Sequence, residues 1–445
     1  MLTMTPVTTS NDDSLQDHLD LPIAIVGGGL GGLSLAIGLA KRGINVHIYE
    51  AASQFAEIGA GISLSPNAVR ALWLIDPAIF EGYKQYAVFN EDPERRDTFF
   101  TCLWGMDERG GGNAKTGDFH CNVNDTSRHP ECFKELDIHT RSAIHRARLL
   151  DVLIALLPKD VASFGKKFER VEQHADGIIE LGFADGTRAL ASAVIGCDGI
   201  KSKAREIVCG AVQPIYTGEY AYRALVPRVA AEEALGVEVA RNGHLYCGYG
   251  IYAVTYPVEH GDFTNLIAIL QDPEDSTNWN HSDWNRASDN DESFLQHMEG
   301  FYPPVLDLLK RYRQPLRWPL FHLPHTEPYY KGNVCLLGDS AHATTPHLGA
   351  GAAMALEDAF VLSSLIASSH GHVNLESAFR AYDAVRRPRT QQLIKYSRQA
   401  GLADQLNLPE LGRGAESYKQ RFEIWGKWLW HEDLEAQVEH AKQLL

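Results

Sequence analysis

Three separated segments of the chain place an acidic residue beside glycines at the end of an apolar run. The first is Gly27-Gly-Gly-Leu-Gly-Gly32, which is followed by a second apolar run that closes on Glu50. The other two are Cys197-Asp198-Gly199 and Gly338-Asp339. Glycine lets a backbone approach a ligand closely, and a carboxylate accepts hydrogen bonds from the hydroxyl groups of a ribose. These residue types favour binding of a molecule that contains phosphates and a ribose.

The elements around the first segment are those of a dinucleotide-binding unit. The apolar run beginning at Ile23 predicts a strand that leads into the glycines. Leu30–Arg42 has the pattern of a helix that Gly43 ends, and Ile44–Tyr49 predicts a second, parallel strand. The order strand, glycine turn, helix, strand is the opening unit of a Rossmann-like fold.

Each glycine of the GxGxxG pattern in that unit, and the acid that follows it, has a physical role. Gly27 allows the sharp turn out of the strand, Gly29 lets a pyrophosphate approach the backbone, and Gly32 lets the helix lie close to the sheet. Glu50 follows Gly32 by eighteen residues, near the spacing of roughly 20 for the acid that binds a ribose. An isolated GxGxxG pattern often has no such meaning, but this one lies between the expected elements and predicts nucleotide binding.

Composition limits the function classes. A chain of 445 residues with 44% hydrophobic and 22% charged residues suits two or three domains with a large core. The net charge of −16 argues against nucleic acid as a general partner, and it means that an anionic substrate needs a local basic pocket. No apolar run approaches the roughly 20 residues of a membrane span.

The N-terminus and the cysteines bear on location. Residues 1–20 are polar and acidic, which predicts a disordered tail and neither a secretory signal nor a transit peptide. The seven cysteines have irregular spacings and include no CxxC pair, which favours free thiols in a reducing compartment and no metal site. We therefore expect a cytoplasmic protein.

The rest of the chain alternates between two kinds of sequence pattern. Residues 91–140 lack a sustained period and predict an irregular excursion that covers a site. Ser142–Leu157 predicts a helix, and Phe168–Gln173, Ile178–Phe183 and Ala189–Gly196 predict strands. Residues 216–317 alternate and are rich in aromatics, which predicts an antiparallel sheet forming the wall of a substrate cavity. The predicted division is a tail at 1–20, a discontinuous nucleotide-binding domain at 21–90, 140–215 and 318–367, a substrate domain at 91–139 and 216–317, and C-terminal helices at 368–445.

Two residues are ambiguous on this reading. Gly61 permits either the close approach of a flat ligand or merely a turn. Arg146 lies near the start of the predicted helix, where a positive charge opposes the helix dipole unless an anion is bound nearby. It is either a cofactor contact or a surface arginine.

Together, the three segments resemble the single-component flavin-dependent aromatic hydroxylases, which include p-hydroxybenzoate hydroxylase and salicylate hydroxylase. The resemblance covers nearly the whole chain after the tail and is strongest to salicylate hydroxylases, through GAGISLSPNAVRAL at 59–72 and HATTPHLGAGAAMALEDA at 342–359. It implies an α/β fold with a Rossmann-like FAD-binding domain, a mixed and largely antiparallel substrate-domain sheet, and C-terminal helices.

The resemblance also implies residue roles toward FAD. The first motif would hold the pyrophosphate, Glu50 the adenosine ribose, and Asp339 the ribityl or pyrophosphate region. Gly349 and Gly351 would line the flavin ring edge, and Asp198 belongs to a motif associated with both FAD and the nicotinamide donor. The full cofactor-binding set is Gly27, Gly29, Gly32, Glu50, Gly61, Arg146, Asp198, Gly338, Asp339, Gly349, Gly351 and Ala352.

The implied reaction is hydroxylation of a phenol with dioxygen. NADH or NADPH, docking transiently, would reduce the flavin, and a flavin C4a-hydroperoxide would transfer one oxygen atom to the ring. A salicylate-type substrate would lose carbon dioxide and give catechol. Since a phenolate is the more nucleophilic form, the site needs a cation or a tuned proton acceptor.

Three catalytic residues are predicted, the first two from the same resemblance and the third from its position after Pro346, and each has a plainer alternative. Arg223 would clamp the phenolate, or else be a salt-bridged strand arginine. Tyr256 would orient the phenol, or else be a packed sheet tyrosine. His347 could relay a proton, or else be a packed loop histidine, whereas His342 is expected to be structural and hydrogen-bonded within its turn.

Other functions remain open at this stage. The first is hydroxylative dearomatisation of a larger polyketide-like phenol, as in fungal relatives with the same local sequence. The second is a non-catalytic flavin-binding sensor, and a plain nicotinamide dehydrogenase is disfavoured because it does not require the Gly338-Asp339 segment. The partners expected are a small phenol, dioxygen and NAD(P)H, with a monomer or homodimer as the assembly.

Overall fold

The structure is a computed structural model. It describes residues 21–445 except for 56–60, 111, 125–141, 175–176, 273–278, 280–285, 288–290, 315, 369–374 and 412–413. The predicted tail at 1–20 therefore lies outside the described residues.

The strands are β1 (Ile23–Val26), β2 (Val46–Tyr49), β3 (Gly61–Leu64), β4 (Thr98–Trp104), β5 (Phe119–Asn124), β6 (Ser142–His145), β7 (Ala162–Ser163), β8 (Phe168–Gln173), β9 (Ile179–Phe183), β10 (Arg188–Ala191), β11 (Ala193–Gly196), β12 (Ile215–Pro227), β13 (His244–Cys247), β14 (Ile251–Val258), β15 (Phe263–Gln271), β16 (Arg286–Ala287), β17 (Leu316–His322), β18 (Tyr330–Lys331) and β19 (Val334–Leu336).

The α-helices are α1 (Leu30–Lys41), α2 (Pro66–Ile75), α3 (Pro77–Lys84), α4 (Arg146–Leu156), α5 (Lys203–Cys209), α6 (Arg228–Leu235), α7 (Val237–Ala240), α8 (Asp291–His297), α9 (Pro303–Tyr312), α10 (Asp339–His342), α11 (Gly351–Ser368), α12 (Leu375–Asp404), α13 (Ala415–Trp430) and α14 (Leu434–Lys442).

A six-stranded sheet brings the three glycine-and-acid segments to one edge. Its order is β18-β19-β11-β1-β2-β7, and all neighbours are parallel except the pair β18 and β19. At its centre Ile25 pairs with Ile195, and both are fully buried. The carboxyl ends of parallel strands meet at the same edge, where α/β proteins bind their ligands. The turns after β1, β11 and β19 therefore lie side by side, as Cys197 N donating to Val26 O at 2.7 Å shows.

An eight-stranded sheet, β16-β17-β12-β15-β14-β13-β4-β5, forms the second layer. Every adjacent pair is antiparallel except β13 with β4, so the expected mixed and largely antiparallel sheet is confirmed. One face carries Tyr222, Ala224 and Leu266, which pack in a separate core with α6, α8 and α9. Because side chains alternate along a strand, the residues between them point toward the six-stranded sheet.

Three local predictions were wrong. Residues 91–140 contain β4 and β5, so the irregular excursion is partly a regular edge of the large sheet. Ser142–His145 is a strand paired with Gly61–Leu64, and the helix begins only at Arg146. The run 189–196 is split at Ser192 into β10 and β11, which belong to different sheets. In each case, pairing with a distant segment overrides the local pattern.

The C-terminal helices expected for residues 368–445 are present, and ion pairs buried in the core connect them to α11. Glu357 bonds Arg389 through Nε at 2.8 Å and lies 2.7 Å from Arg386 Nη1. Asp358 accepts from Arg386 Nε at 2.7 Å and from the backbone N–H of Gly338 at 3.2 Å. The C-terminal helices therefore help to hold the Gly338 turn in place.

Helix α11 is the one described helix long and apolar enough to cross a membrane by length and composition. Its 18 residues have a mean hydropathy of 1.3, and 72% of them are buried inside the protein. It packs against α1, α2 and α12, so it is a core helix here.

Candidate active site

A cavity of about 370 Å³ opens at the edge where the three glycine-and-acid turns meet. This volume is within the range of small-molecule sites. Most of the predicted site residues line it, namely Gly29, Gly32, Gly61, Arg146, Arg223, Tyr256, Gly338, Asp339, His347, Gly349, Gly351 and Ala352. Gly27, Glu50 and Asp198 do not line it.

Two helices begin at the cavity wall. Helix α1 has Gly29 as its N-cap, with no side-chain cap and no acidic residue in its first turn, and Leu30 and Gly32 also line the cavity. Helix α11 begins at Gly351 and likewise has no acidic residue in its first turn. Unsatisfied N–H groups and the positive end of a helix dipole suit phosphate oxygens and electron-rich ring edges. The residues present therefore fit the pyrophosphate and flavin ring of FAD.

Close packing of the backbone explains two glycines of the first motif. Gly27 has φ +105°, and a Cβ there would lie 2.4 Å from the carbonyl oxygen of Cys197. A Cβ on Gly32 would lie 2.1 Å from the carbonyl oxygen of Gly27. No side chain fits at these distances, so the glycines let the strand, helix and neighbouring turn pack together at the ligand edge.

The Glu50 carboxylate bonds the glycine turn. Its Oε2 accepts from the N–H of Gly28 at 2.6 Å, and its Oε1 accepts from the N–H of Ala52 at 2.7 Å. These contacts fix the carboxylate beside the turn, while its predicted contact with the adenosine ribose remains a prediction.

The Asp198 carboxylate caps a helix. It accepts from the Ser202 hydroxyl at 2.5 Å and from the N–H groups of Lys203 at 2.7 Å and Ala204 at 3.1 Å, at the start of α5. Its neighbours Cys197 and Gly199 line the cavity instead. Asp198 therefore shapes the turn beside the cavity, and its predicted contact with the cofactor remains a prediction.

Asp198→Ala is expected to lower the free energy of unfolding by about 1–2 kcal/mol, since the N–H groups of Lys203 and Ala204 lose their acceptor, although the N-cap Ser202 keeps its own bond. Urea unfolding monitored by tryptophan fluorescence measures this, with Asp198→Asn as the variant that keeps one acceptor oxygen. Unchanged stability in the alanine variant would contradict the capping role.

Unlike Asp198, Asp339 lines the cavity, where it is the first residue of α10. It forms no side-chain hydrogen bond or ion pair with any residue that the structure describes. An acceptor left open toward a cavity suits the hydroxyl groups of a ribityl chain.

Asp339→Ala is expected to weaken FAD retention by one charged hydrogen bond, about 1.5–3 kcal/mol, or roughly 10- to 100-fold in dissociation constant. Fluorescence titration of the deflavinated protein with FAD measures the change. Full yellow cofactor in the purified variant, at wild-type affinity, would count against the role.

Arg223, on β12, provides a cation at the cavity wall. Its guanidinium carbon lies 4.9 Å from the centre of the Trp318 ring, and burial lowers its pKa, with Arg146 nearby adding to that effect. No carboxylate among the described residues forms an ion pair with it, and its Nε has no hydrogen-bond partner there. The salt-bridged alternative is therefore not what the structure contains. A buried cation without a counter-charge is costly, and an anionic ligand would offset that cost.

Tyr256, on β14, lies close to Gly61, the first residue of β3. Its hydroxyl donates to the carbonyl oxygen of Gly61 at 2.9 Å, which leaves its oxygen able to accept. Gly61 approaches so closely that a Cβ there would lie 3.0 Å from the Tyr256 ring.

The two histidines that follow β19 along the chain, His342 and His347, have different surroundings. His347 lines the cavity, and its Nδ1 lies 2.7 Å from the hydroxyl oxygen of Tyr252. His342 is structural as expected, but its partner is Asp358 on α11, at 2.6 Å from Nε2, rather than a group in its own turn. A sequence cannot show that contact because it depends on how α10 packs on α11.

Several cavity residues were missed by the sequence reasoning. Tyr252 and Val254 share the cavity face of β14 with Tyr256, and a period of two counted from Tyr256 would have found them. Further apolar residues of the wall include Phe99, Phe100, Ile267 and Ile269. Phe99 and Phe100 lie on β4, within the segment that was expected to cover a site.

Comparison with known proteins agrees with this geometry. A family model described as an FAD binding domain matches residues 318–397, and one described as an NAD(P)-binding Rossmann-like domain matches residues 25–56. The 6-methylsalicylate 1-monooxygenase of Aspergillus terreus is 36% identical over 434 residues, which cover 95% of this chain and 92% of the relative. The chain belongs to the FAD-dependent aromatic hydroxylases.

Further relatives of this hydroxylase span similar lengths. An FAD-dependent monooxygenase of Monascus ruber is 36% identical over 438 residues, covering 92% of this chain and 94% of the relative. A solved salicylate hydroxylase in complex with substrate has a TM-score of 0.80 at 30% identity, covering 95% of this chain and 98% of that one. The hydroxylase is thus an FAD-dependent enzyme of the salicylate hydroxylase type, as its motifs predicted.

Proposed function

We propose that the protein hydroxylates a salicylate-type phenol at the ring carbon that bears the carboxylate. One oxygen atom of dioxygen enters the ring, the other leaves as water, and the carboxylate leaves as carbon dioxide, so that the product is a catechol. NADH or NADPH supplies the electrons and docks transiently, because the sequence contains no second GxGxxG unit.

The observation that carries this proposal is the guanidinium of Arg223 at the cavity wall without a carboxylate partner among the described residues. A salicylate offers it a carboxylate and a phenol oxygen, and the planar fork of arginine suits both. The surrounding Val254, Ile267 and Ile269 are apolar and suit an aromatic ring. They also accommodate a small alkyl substituent, such as the methyl group named for the Aspergillus terreus relative.

The bound cofactor and the residues of this chain have separate roles in the proposed reaction. Bound FAD supplies the redox chemistry, accepting electrons from the nicotinamide and activating dioxygen. Arg223 binds and stabilises the anionic form of the phenol, and Tyr256 orients its hydroxyl group. The apolar wall excludes water and thereby protects the oxygen-transfer step from wasteful loss of oxidant.

A panel of phenols tests the proposal. Purified protein is incubated with salicylate, an alkyl-substituted salicylate or an alkylated resorcinol, and reductant consumption, carbon dioxide and product mass are measured together. Catechol and carbon dioxide in equal amounts support the proposal. A dearomatised product from the resorcinol, without carbon dioxide from the salicylates, would replace it with the dearomatising alternative.

Location and assembly belong to the same proposal. We infer a cytoplasmic enzyme from the cysteine usage of the sequence. A monomer or a homodimer suits a cavity that is lined by residues of one chain. Light scattering of the purified protein distinguishes the two.

A further inference from the structure

Trp318 packs on the guanidinium of Arg223 inside the cavity wall. The guanidinium carbon of Arg223 lies 4.9 Å from the centre of the Trp318 ring. Arg223 lines the cavity and Trp318 does not, so the indole ring contacts the cation from within the wall. A cation over the face of an aromatic ring is attracted by the π electrons, most strongly where water is excluded. The ring therefore stabilises a positive charge that faces the cavity.

Strand pairing places these two side chains on the same face of the eight-stranded sheet. Trp318 of β17 pairs with Ala221 of β12, and Arg223 follows Ala221 by two residues. Paired residues point to the same face, and so do residues two apart along a strand. Ala221 is buried, and its methyl side chain leaves room beside Arg223 for an indole ring. The sheet therefore positions Trp318 against Arg223.

The face of its ring is the contact that Trp318 provides. The Trp318 Nε1 is buried and has no hydrogen-bond partner among the residues that the structure describes. A buried N–H without a partner costs free energy, so hydrogen bonding does not explain a tryptophan at this position. Stacking on the buried cation of Arg223 does explain it.

Another arginine that stacks on a tryptophan, Arg70 of α2, shows what is different at the cavity. The guanidinium carbon of Arg70 lies 4.6 Å from the centre of the Trp73 ring, and Glu435 forms an ion pair with it at 2.5 Å. Arg70 thus has both a ring and a carboxylate, whereas Arg223 has the ring and no carboxylate partner in the described part of the chain. A carboxylate beside Arg223 would neutralise the charge that an anionic substrate needs.

We propose that Trp318 is a positioning residue that supports the buried cation of Arg223 and leaves its charge available for an anionic substrate. The inference rests on the proposed function, in which Arg223 binds a salicylate. The ring holds the guanidinium at the cavity wall without supplying a negative charge. The substrate anion then provides the counter-charge, so the site prefers an anion to an uncharged analogue of similar shape. Trp318 thereby contributes to selection by charge.

The experiment compares binding of salicylate with binding of salicylamide, in which an uncharged carboxamide replaces the carboxylate. Dissociation constants are measured on flavin-loaded protein from the change in flavin absorbance, at a pH where the phenol of both free ligands is protonated. Trp318→Leu is expected to weaken salicylate binding about tenfold and salicylamide binding by at most about threefold. Equal weakening of both ligands, or unchanged salicylate binding, would overturn the proposal.

Three further variants make the test specific. Trp318→Phe is expected to keep most of the preference for the anion, because it retains a ring face and loses an N–H without a described partner. A loss as large as in Trp318→Leu would overturn the proposal. Trp318→Met replaces the leucine variant if that variant does not retain flavin, with the same expected ratio. Trp73→Leu is the matched control, since it removes the ring from Arg70, which keeps Glu435 and does not line the cavity.

A double variant separates positioning of Arg223 from a general packing role. In the Arg223→Ala background, Trp318→Leu is expected to leave the ratio of the two dissociation constants unchanged, because the cation that the ring supports is absent. A further loss of salicylate binding relative to salicylamide in that background would show that Trp318 acts independently of Arg223, and would overturn the proposal.

The same samples distinguish this inference from the proposed function. If wild type binds neither ligand and no phenol stimulates reductant consumption, the proposed function fails and the role of Trp318 fails with it. If wild type converts salicylate to catechol and Trp318→Leu retains the wild-type preference for the anion, the role of Trp318 alone is overturned. Flavin absorbance of each variant verifies that the site is folded.

Discussion

Arg223→Ala is expected to lower the kcat/KM for product formation at least 30-fold while FAD remains bound. Loss of a buried charge that pairs with an anionic ligand costs about 2–5 kcal/mol, and 2 kcal/mol corresponds to roughly 30-fold. Reductant consumption becomes uncoupled, so hydrogen peroxide replaces catechol. Parallel assays of NAD(P)H, peroxide and catechol measure the ratio directly.

Two further substitutions make the Arg223 test specific. Arg223→Lys keeps the positive charge but loses the planar fork, so it is expected to recover part of the coupling. Arg317→Ala is the matched control, because Arg317 lies on the adjacent strand β17, bonds the Tyr222 hydroxyl and does not line the cavity. If Arg223→Ala couples reductant to product as well as wild type does, Arg223 is not the clamp.

Arg386→Met is expected to reduce the free energy of unfolding by about 3–5 kcal/mol, because removing one member of a buried ion cluster leaves an uncompensated charge. Arg386 is fully buried between Glu357 and Asp358. FAD retention is expected to fall as well, since Asp358 also holds the N–H of Gly338. Urea unfolding and flavin content measure the two effects.

The neighbouring arginine provides the control. Arg387 pairs with Asp383 one turn away on α12, and its side chain is 31% exposed. Arg387→Met is expected to cost less, about 1–2 kcal/mol, because water reaches Arg387 although the Asp383 side chain is only 8% exposed. Equal loss of unfolding free energy in the two variants would show that burial of the ion cluster does not determine the cost of removing its arginine.

Acid sensitivity follows from the same cluster. Burial acts to raise the pKa of both Glu357 and Asp358. Arg389 and Arg386 outweigh burial and lower the pKa of Glu357 to about 2. His342 and Arg386 likewise lower the pKa of Asp358 to about 2. Because the folded values lie below the ordinary 4.5 and 3.8, this stabilisation is present above about pH 4.5 and is lost as the pH falls toward 2. Arg386→Met should flatten that part of the stability profile.

Much of the FAD-binding unit was predictable because its determinants are local. The strand before Gly27, the helix after it and the distance to Glu50 are all contained in thirty residues. The positive φ of Gly27 and the packing of Gly32 confirm the physical roles predicted for these two glycines. The spacing could not show that Asp198 caps α5, since an acid after a strand looks the same in either role.

The features that the sequence did not predict depend on long-range contacts. Ser142–His145 reads as the beginning of a helix, and only its pairing with Gly61–Leu64, some 80 residues earlier, makes it a strand. No motif of the sequence marks Glu219 on β12, although a period of two places it on the same face as Arg223. Its partners His347 and Arg398 lie more than 100 residues further along the chain, beyond the reach of any local pattern.

The most direct measurement of the central claim is a single reaction in isotopically labelled dioxygen. Flavin-loaded protein is supplied with NAD(P)H and salicylate, and the catechol, carbon dioxide and consumed reductant are quantified together. We expect one labelled oxygen atom in each catechol, with carbon dioxide and consumed reductant in equal amounts. Catechol without the label, or consumption of reductant that yields only hydrogen peroxide with every phenol tried, would contradict it.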